Sequence, residues 1–457
     1  MISPRHTRKA DFNERFYICQ CTEAYATNFS NTVKYNQYIS KNLLSNALRS
    51  FILKNSWLLH NFFRIDDQDS AKTNGHNWVV KIIDNVQFDD VVKYEKIDEF
   101  NESIMERVDS YILTMNENLP LWRIIMFEEN NGDQVVCVYV DHSHFDGLSG
   151  VQFQKDLSKE LSTASDDKFI SELFSYEKDG ESLPDIEPSV ESITDLYYPS
   201  YLQIMKNYLS SIPLMSGLFA SSVNPPVFQT TKPIDHNLSS KYKFLRYTPQ
   251  QVEEITKFCR ANGITLTSYF DVLFLQALEE TVFKEIGNGP YSTSSLVAIN
   301  GRRYYSDDIK NFKYGSMVCG DEIILKPILN TLESMKLFHK TLIQNIKSRY
   351  SFKLIGLLQY VNIWDWFKFK IGKVDRFTMT ISNLGKIADS NSTFTFKEMY
   401  FCSNTSVVFN TILNMTTLPN NELTAVIGYV PELSKYNMED FVDRFYFSSS
   451  LPSLIPS

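Results

Sequence analysis

The chain has 457 residues and a formal net charge of −9. Hydrophobic residues make up 43% and charged residues 22% of it, which excludes a mainly disordered or collagen-like chain. A single hydrophobic core stops growing at about 250–300 residues, so we expect two domains of roughly 200 residues each or one pseudo-duplicated unit. An acidic surface repels phosphate backbones, and the sequence contains no long basic stretch, so we expect no nucleic-acid partner.

The six cysteines and the N-terminal segment indicate where the protein works. Only Cys19 and Cys21 are close together, and no second pair repeats their spacing, so we expect no metal site. Unpaired thiols are typical of a reducing compartment, and Cys137 and Cys259 lie in apolar runs that predict buried thiols. The segment from Met1 to Asn13 is too polar for a secretory signal, and no apolar run is long enough for a transmembrane helix. We therefore expect an intracellular protein.

In the first half, the apolar pattern predicts a helix followed by several strands. Apolar residues recur at three- and four-residue steps from Ser40 to Lys54, which predicts an amphipathic helix. Trp78 to Ile83 and Leu121 to Phe127 have the composition of strands. Asn131-Gly132 then predicts a hairpin turn, and Gln134 to Val140 is apolar almost throughout, which predicts a central strand.

The middle of the chain predicts a connection between two lobes. Ser162 to Asp195 is acidic and has little periodicity, which indicates a crossover linker. Tyr197 to Ala220 is more apolar, and it predicts either a surface helix broken near Pro213 or an apolar lip of a channel or membrane contact. We place an N-terminal lobe at residues 1–165, the linker at 166–240 and a C-terminal lobe at 241–457.

The second half predicts further helices and strands. Thr248-Pro249-Gln250-Gln251 has the pattern of a capping box, and Asn262-Gly263 has that of a helix end. The other predicted elements are a strand at Tyr242 to Tyr247, a helix at Thr267 to Glu280, a strand at Leu296 to Ile299, a helix at Leu332 to Lys347, and strands at Phe377 to Ile381, Met399 to Ser403, Ser406 to Leu413 and Glu422 to Tyr429. Helices that pack on sheets in both halves predict an α+β fold with mixed sheets.

The candidate chemistry lies directly after the predicted central strand. His142 and His144 flank one serine, and Asp146 and Gly147 follow. Histidine is the natural general base near neutral pH, and a polar turn after a buried strand lies at a sheet edge, where clefts form. Gly147 would permit a sharp backbone turn, and Asp146 would fix the loop or pair with a cation. A helix is expected to begin near Ser149.

This segment resembles the H-x-x-x-D-G signature of the coenzyme A-dependent acyltransferases, which include chloramphenicol acetyltransferase, the plant BAHD acyltransferases and the condensation domains of peptide synthetases. The chain most resembles the fungal alcohol O-acetyltransferases. Five further segments carry the resemblance in the expected order: Leu48-Arg49, Lys54 to His60, Pro120 to Arg123, Ile299 to Arg302, and Ile381 to Gly385. The D-F-G-W-G sequence of the plant relatives is absent at Tyr400 to Asn404.

The resemblance implies two chloramphenicol-acetyltransferase-like domains, each a mixed sheet flanked by helices, with a tunnel at their interface. It also implies a ternary-complex mechanism, in which His142 accepts the proton of a hydroxyl or amine and the nucleophile attacks the thioester of acetyl-CoA. Acetyl-CoA would be a co-substrate, and no permanently bound cofactor is implied.

The resemblance further assigns roles around His142. Asp146 would be structural and would pair with Arg302 of the other half, with Arg303 as a rival for the same contact. Gly147 and His144 would support the site.

Two more residues are candidates for contacts with the oxyanion or with CoA. Ser382 and Asn383 lie in a predicted turn after a strand, where a hydroxyl or an amide would be available. A tight turn held by Asn383 and Gly385 explains the same pattern without any catalytic role.

Three functions fit these observations. The first is O-acetylation of an apolar alcohol, the second is N-acetylation of amines or long-chain amino alcohols, and the third is a non-catalytic binding protein. We expect a monomer, and the resemblance leaves open a cytoplasmic location or peripheral contact with the endoplasmic reticulum or lipid droplets.

Overall fold

The structure is a computed structural model that describes residues 4–205, 224–230, 232–305, 312–388 and 391–455. Its strands are β1 (Thr7–Lys9), β2 (Phe29–Tyr35), β3 (His60–Arg64), β4 (Trp78–Ile82), β5 (Asn85–Gln87), β6 (Val92–Ile97), β7 (Trp122–Glu129), β8 (Gln134–Val140), β9 (Glu172–Ser175), β10 (Lys241–Tyr247), β11 (Thr293–Asn300), β12 (Val318–Leu325), β13 (Phe377–Lys386), β14 (Phe396–Ser403), β15 (Phe409–Thr417) and β16 (Leu423–Tyr429). Its helices are α1 (Phe12–Thr22), α2 (Lys41–Lys54), α3 (Ser70–Thr73), α4 (Phe88–Val91), α5 (Glu102–Asp109), α6 (Gly147–Leu161), α7 (Tyr176–Asp179), α8 (Val190–Ile193), α9 (Pro249–Asn262), α10 (Leu266–Glu280), α11 (Val282–Ile286), α12 (Thr331–Lys347), α13 (Tyr350–Gly356), α14 (Ile363–Lys368) and α15 (Met438–Ser450).

The first large sheet has five strands in the order β14-β2-β8-β7-β6. All seven residues of β8 are buried, which confirms the prediction of a central strand. One face of this sheet packs against α2 and α6, and the other belongs to a core that also contains Tyr242 and Val426 from the second half. Because both faces are covered, β8 is apolar throughout instead of alternating.

The second large sheet has six strands in the order β10-β16-β15-β13-β11-β12. Strand β13 pairs parallel with β11 and β15, and the other neighbours pair antiparallel. Helices α10, α12 and α15 contribute to the core on one face of this sheet. The predicted α+β fold with mixed sheets is confirmed.

One strand from the second half of the chain joins the sheet of the first half. Strand β14 comes from the range predicted as the C-terminal lobe, yet it pairs antiparallel with β2 of the first sheet. Strand β9 comes from the predicted linker and pairs with β5. Both strands pair with strands of residues 1–165, and the division of the chain at residues 165 and 240 stays a prediction. Of the apolar segment from Tyr197 to Ala220, for which a surface helix or a channel lip was predicted, residues 206–220 lie outside the described residues.

Several local predictions are confirmed by the hydrogen bonds at helix ends. Thr248 and Gln251 form the predicted capping box of α9, and Gly263 ends that helix in the left-handed conformation with φ of 66°. Within the described ranges, none of the helices combines the length and the apolar content that crossing a bilayer requires.

The prediction of a turn at Ser382-Asn383-Leu384-Gly385 is wrong. Strand β13 continues to Lys386 and keeps its pairing with β15 across a register shift between Asn383 and Lys386. Gly385 has a φ of +75° within this irregularity, a conformation that glycine adopts without strain. The pattern that indicated a turn is therefore a bulge inside a longer strand.

Candidate active site

The loop of residues 141–146 follows β8 and carries His142 near its start. The main-chain oxygen of Asp141 accepts hydrogen bonds from the amides of His144 and Phe145, at 3.2 and 3.1 Å. The Asp141 carboxylate accepts a further bond of 2.8 Å from the Ser143 amide. These bonds close a tight turn, so the main chain on either side of His142 is held.

The His142 ring lies between aromatic side chains of the first sheet and of α1. It stacks on the ring of Tyr17 at 4.2 Å with an interplanar angle of 3°, and the Phe29 ring lies at 5.0 Å. As a residue His142 is half-buried, but its Nδ1 atom is buried and has no hydrogen-bond partner among the described residues. Of its two ring nitrogens, only Nδ1 is both buried and without a partner among the described residues.

The surroundings of His142 favour its neutral form. Burial lowers the pKa of the imidazole, while the main-chain carbonyls of His142 and Phe145 and the charge of Asp146 act in the opposite direction. The net effect is a pKa below the ordinary value of 6.5. At neutral pH the ring is therefore uncharged, which is the form that a general base requires.

Asp146 is held by several donors at once. Its side chain caps α6 by accepting bonds of 2.8 Å from the amide and the hydroxyl of Ser149. Its other carboxylate oxygen accepts a 2.5 Å bond from Nη1 of Arg302 and a 3.0 Å bond from the Met317 amide. Burial alone would raise the pKa of Asp146, but the charge of Arg302 and these hydrogen bonds lower it below its ordinary value. Asp146 is therefore a buried anion, and because both of its oxygens already accept hydrogen bonds it is not available as a base.

Arg302 joins the two halves of the chain at this point. Its Nη2 atom donates to the Ser149 hydroxyl at 3.0 Å and to the main-chain oxygen of Gly315 at 2.9 Å, and its Nε atom donates to that of Phe312 at 2.9 Å. Arg303 is exposed. The ion pair that we expected for Asp146 thus forms with Arg302 and not with its rival.

Gly147 is required for space and not for a sharp turn. It is the first residue of α6, and it is not among the glycines with positive φ. A Cβ atom at this position would lie 2.8 Å from Cδ2 of Leu384 and 3.0 Å from Cζ of Phe401. Strands β13 and β14 therefore approach the backbone of the His142 loop so closely that a side chain on residue 147 would collide with them.

The other predicted site residues lie around this loop. His144 is fully buried, and burial lowers its pKa to about 3. Ser382 and Asn383 lie half-buried on β13, where Ser382 is opposite Asn414 of β15, and the Asn383 side chain accepts a 2.9 Å bond from the Gly385 amide. The Leu384 side chain of β13 lies next to Gly147, the residue that follows the loop.

The two aromatic residues that contact the His142 ring are not among the predicted site residues. Tyr17 lies on α1, which was not predicted, although Asp11 and Glu14 have the spacing of a capping box and do form one. That signal would have placed a helix start there. Phe29 lies on β2, and no local pattern indicated that it would face His142.

The chain is similar to known acetyltransferases. The family model described as alcohol acetyltransferase matches residues 9–447. Alcohol O-acetyltransferase 2 of Saccharomyces cerevisiae is 23% identical over 371 residues, which is 70% of this chain and 69% of that protein. An N-acetyltransferase of the same yeast is 23% identical over 290 residues, 58% of this chain and 57% of that protein.

One solved structure extends the likeness of fold to nearly the whole chain. The trichothecene 15-O-acetyltransferase of Fusarium sporotrichioides superposes with a TM-score of 0.66, and the match covers 96% of this chain and 94% of that one. At 13% identity this likeness concerns the fold alone. It agrees with the two-domain acyltransferase fold that the sequence implied.

Proposed function

The chain belongs to the alcohol acetyltransferase family, and on this basis we propose that it transfers an acetyl group from acetyl-CoA to the hydroxyl of an apolar alcohol. The observation that carries the proposal is the environment of the His142 ring. Its lowered pKa favours the neutral form, and its Nδ1 atom is buried. The Asp146–Arg302 ion pair holds the end of the loop that carries it. The aromatic rings of Tyr17 and Phe29 beside it support an apolar acceptor.

In the proposed reaction His142 acts as a general base in a ternary complex. Its Nε2 atom takes the proton of the acceptor hydroxyl while the oxygen attacks the carbonyl carbon of the thioester. The tetrahedral oxyanion then collapses, the C–S bond breaks, and the thiolate of CoA leaves and takes up the proton from His142. No acyl-enzyme forms, so no nucleophilic side chain is needed. We propose Ser382 and Asn383 as candidates for contacts with the oxyanion or with CoA.

A second candidate is transfer to an amine, because an N-acetyltransferase is among the relatives. The same base serves both nucleophiles, so the acceptor must be tested directly. The experiment measures CoA release from acetyl-CoA with primary alcohols and primary amines of matched chain length, and with a long-chain amino alcohol. We expect kcat/KM to be higher for the alcohols; a clear preference for the amines would support the second candidate, and no release with any acceptor would contradict both.

The pH dependence of kcat/KM follows from the lowered pKa of His142. The base works only when neutral, so the rate falls as the pH drops through that pKa, and the falling limb lies below pH 6.5. With an alcohol the profile should be level from about pH 7 upward. A primary amine must also be neutral, and with a pKa near that of lysine, about 10, its rate would continue to rise above pH 8. If kcat/KM with an alcohol already fell as the pH was lowered from 8 to 7, that result would contradict the environment described for His142.

We also propose an intracellular location. All six cysteines are free in the structure, and all but Cys21 are buried. Unpaired thiols persist in reducing compartments.

A further inference from the structure

Trp57 and His144 hold each other through two reciprocal hydrogen bonds. Nε1 of Trp57 donates to the main-chain oxygen of His144 at 2.9 Å, and Nε2 of His144 bonds to the main-chain oxygen of Trp57 at 2.7 Å. The two rings stack at 4.2 Å with an interplanar angle of 3°. We propose that this pair, the Trp57–His144 clamp, positions the His142 loop for catalysis. The inference rests on the proposed function of His142.

The hydrogen bonds fix the tautomer of His144. A carbonyl oxygen can only accept, so Nε2 of His144 must carry a proton. Nδ1 is buried without a hydrogen-bond partner in the described part of the chain, so a second proton there would leave a charge in an unpaired, buried position. His144 therefore keeps one neutral form and acts as a donor.

The surroundings of His144 leave its ring no alternative position. The rings of His60 and Phe62 meet it edge-on at 5.5 and 5.8 Å, and His60 and His144 are both at most 1% exposed. The Trp57 side chain is 7% exposed and lies in the turn Ser56–Leu59, directly after α2. The clamp thus connects the His142 loop to the turn that follows α2.

The clamp holds the loop between two other points at which it is fixed. The carboxylate and carbonyl of Asp141 close the turn at its start, and Asp146 fixes its end. Between them, the main-chain oxygen of residue 144 is held by Trp57. Loss of that bond would let the main chain two residues after His142 shift, and displacements of about 1 Å at a catalytic group can cost on the order of 100-fold in rate.

Each of two substitutions removes one of these hydrogen bonds, and only the first keeps an aromatic ring at its position. Trp57→Phe retains a stacking ring and removes the donor to His144, and His144→Leu removes the donor to Trp57. His144→Gln places an amide nitrogen near the position of Nε2 and should restore part of the activity. Because Trp57 and His144 are both buried and are proposed to act only through the loop, we expect kcat to fall about 10- to 100-fold while KM for acetyl-CoA stays within about 2-fold.

Trp122→Phe is the matched control. Trp122 is fully buried and donates through Nε1 to the main-chain oxygen of Leu58 at 2.8 Å, so it holds the same turn but not the His142 loop. Both tryptophan variants are compared with wild type by thermal unfolding and by kcat per folded molecule. We expect similar losses of stability and a large loss of kcat for Trp57→Phe alone.

Equal kcat values for the two tryptophan variants, or failure of His144→Gln to exceed His144→Leu, would overturn the inference. A failure of the proposed function is distinguishable from this result. If the proposed function is wrong, the His142→Ala variant releases CoA at the wild-type rate. If only the clamp is wrong, the His142→Ala variant is still inactive.

Discussion

The substitution His142→Ala is expected to lower the rate of acceptor-dependent CoA release by about 10²- to 10⁴-fold, the range that general-base assistance contributes. Alanine removes the only nitrogen that we assign to proton transfer. Binding of acetyl-CoA should change little, because the loop itself is closed by Asp141 and fixed by Asp146, whose bonds do not involve the His142 side chain. The loss should therefore appear in kcat and not in KM.

The matched control for this substitution is His236→Ala, because His236 is exposed and does not belong to the His142 loop. Both variants are assayed with the best acceptor from the panel, and their folded fractions are compared by thermal unfolding. His236→Ala should retain the wild-type rate. Equal rates for His142→Ala and wild type would remove the catalytic assignment of His142.

The substitution Arg302→Ala is expected to produce the largest loss of stability, because it leaves Asp146 as a buried charge without its cation. The side chains of Arg302 and Asp146 are only 10% and 5% exposed. Breaking a buried ion pair by removing one partner typically costs about 3–5 kcal/mol. We therefore expect a lower yield of folded protein and a lower denaturant midpoint, measured by urea unfolding.

The adjacent arginine provides the control. Arg303 is exposed, so Arg303→Ala should change the free energy of unfolding by no more than about 0.5 kcal/mol. A double-mutant cycle of Arg302→Met with Asp146→Asn should show a coupling of about 0.5–3 kcal/mol, because the two groups share one network. Equal effects of the two arginine substitutions would contradict the role given to the Asp146–Arg302 pair.

The sequence predicted the elements whose signal is local. The run from Gln134 to Val140, apolar almost throughout, predicted a strand covered on both faces, and the polar segment after it was expected at the end of that strand. The capping box at Thr248 could likewise be predicted from the sequence, because its residues bond to each other across one helical turn.

The missed features depend on contacts between distant parts of the chain. Strand β14 has an ordinary strand pattern, but nothing in that pattern says that its neighbour is β2, more than three hundred residues earlier. Tyr17 reaches His142 only because α1 packs beside the loop, and Gly147 is needed only because Leu384 and Phe401 approach it. Periodicity shows which face of an element is buried and not which element covers it.

The most direct test of the account is an experimental structure of the protein with CoA bound. The account predicts that the sulfur atom of CoA lies beside the His142 ring, within hydrogen-bond reach of Nε2 or one water molecule away from it. The acceptor would then reach the same nitrogen from the other side. A sulfur atom bound far from His142, or an Nε2 atom enclosed by packed side chains in the complex, would contradict it.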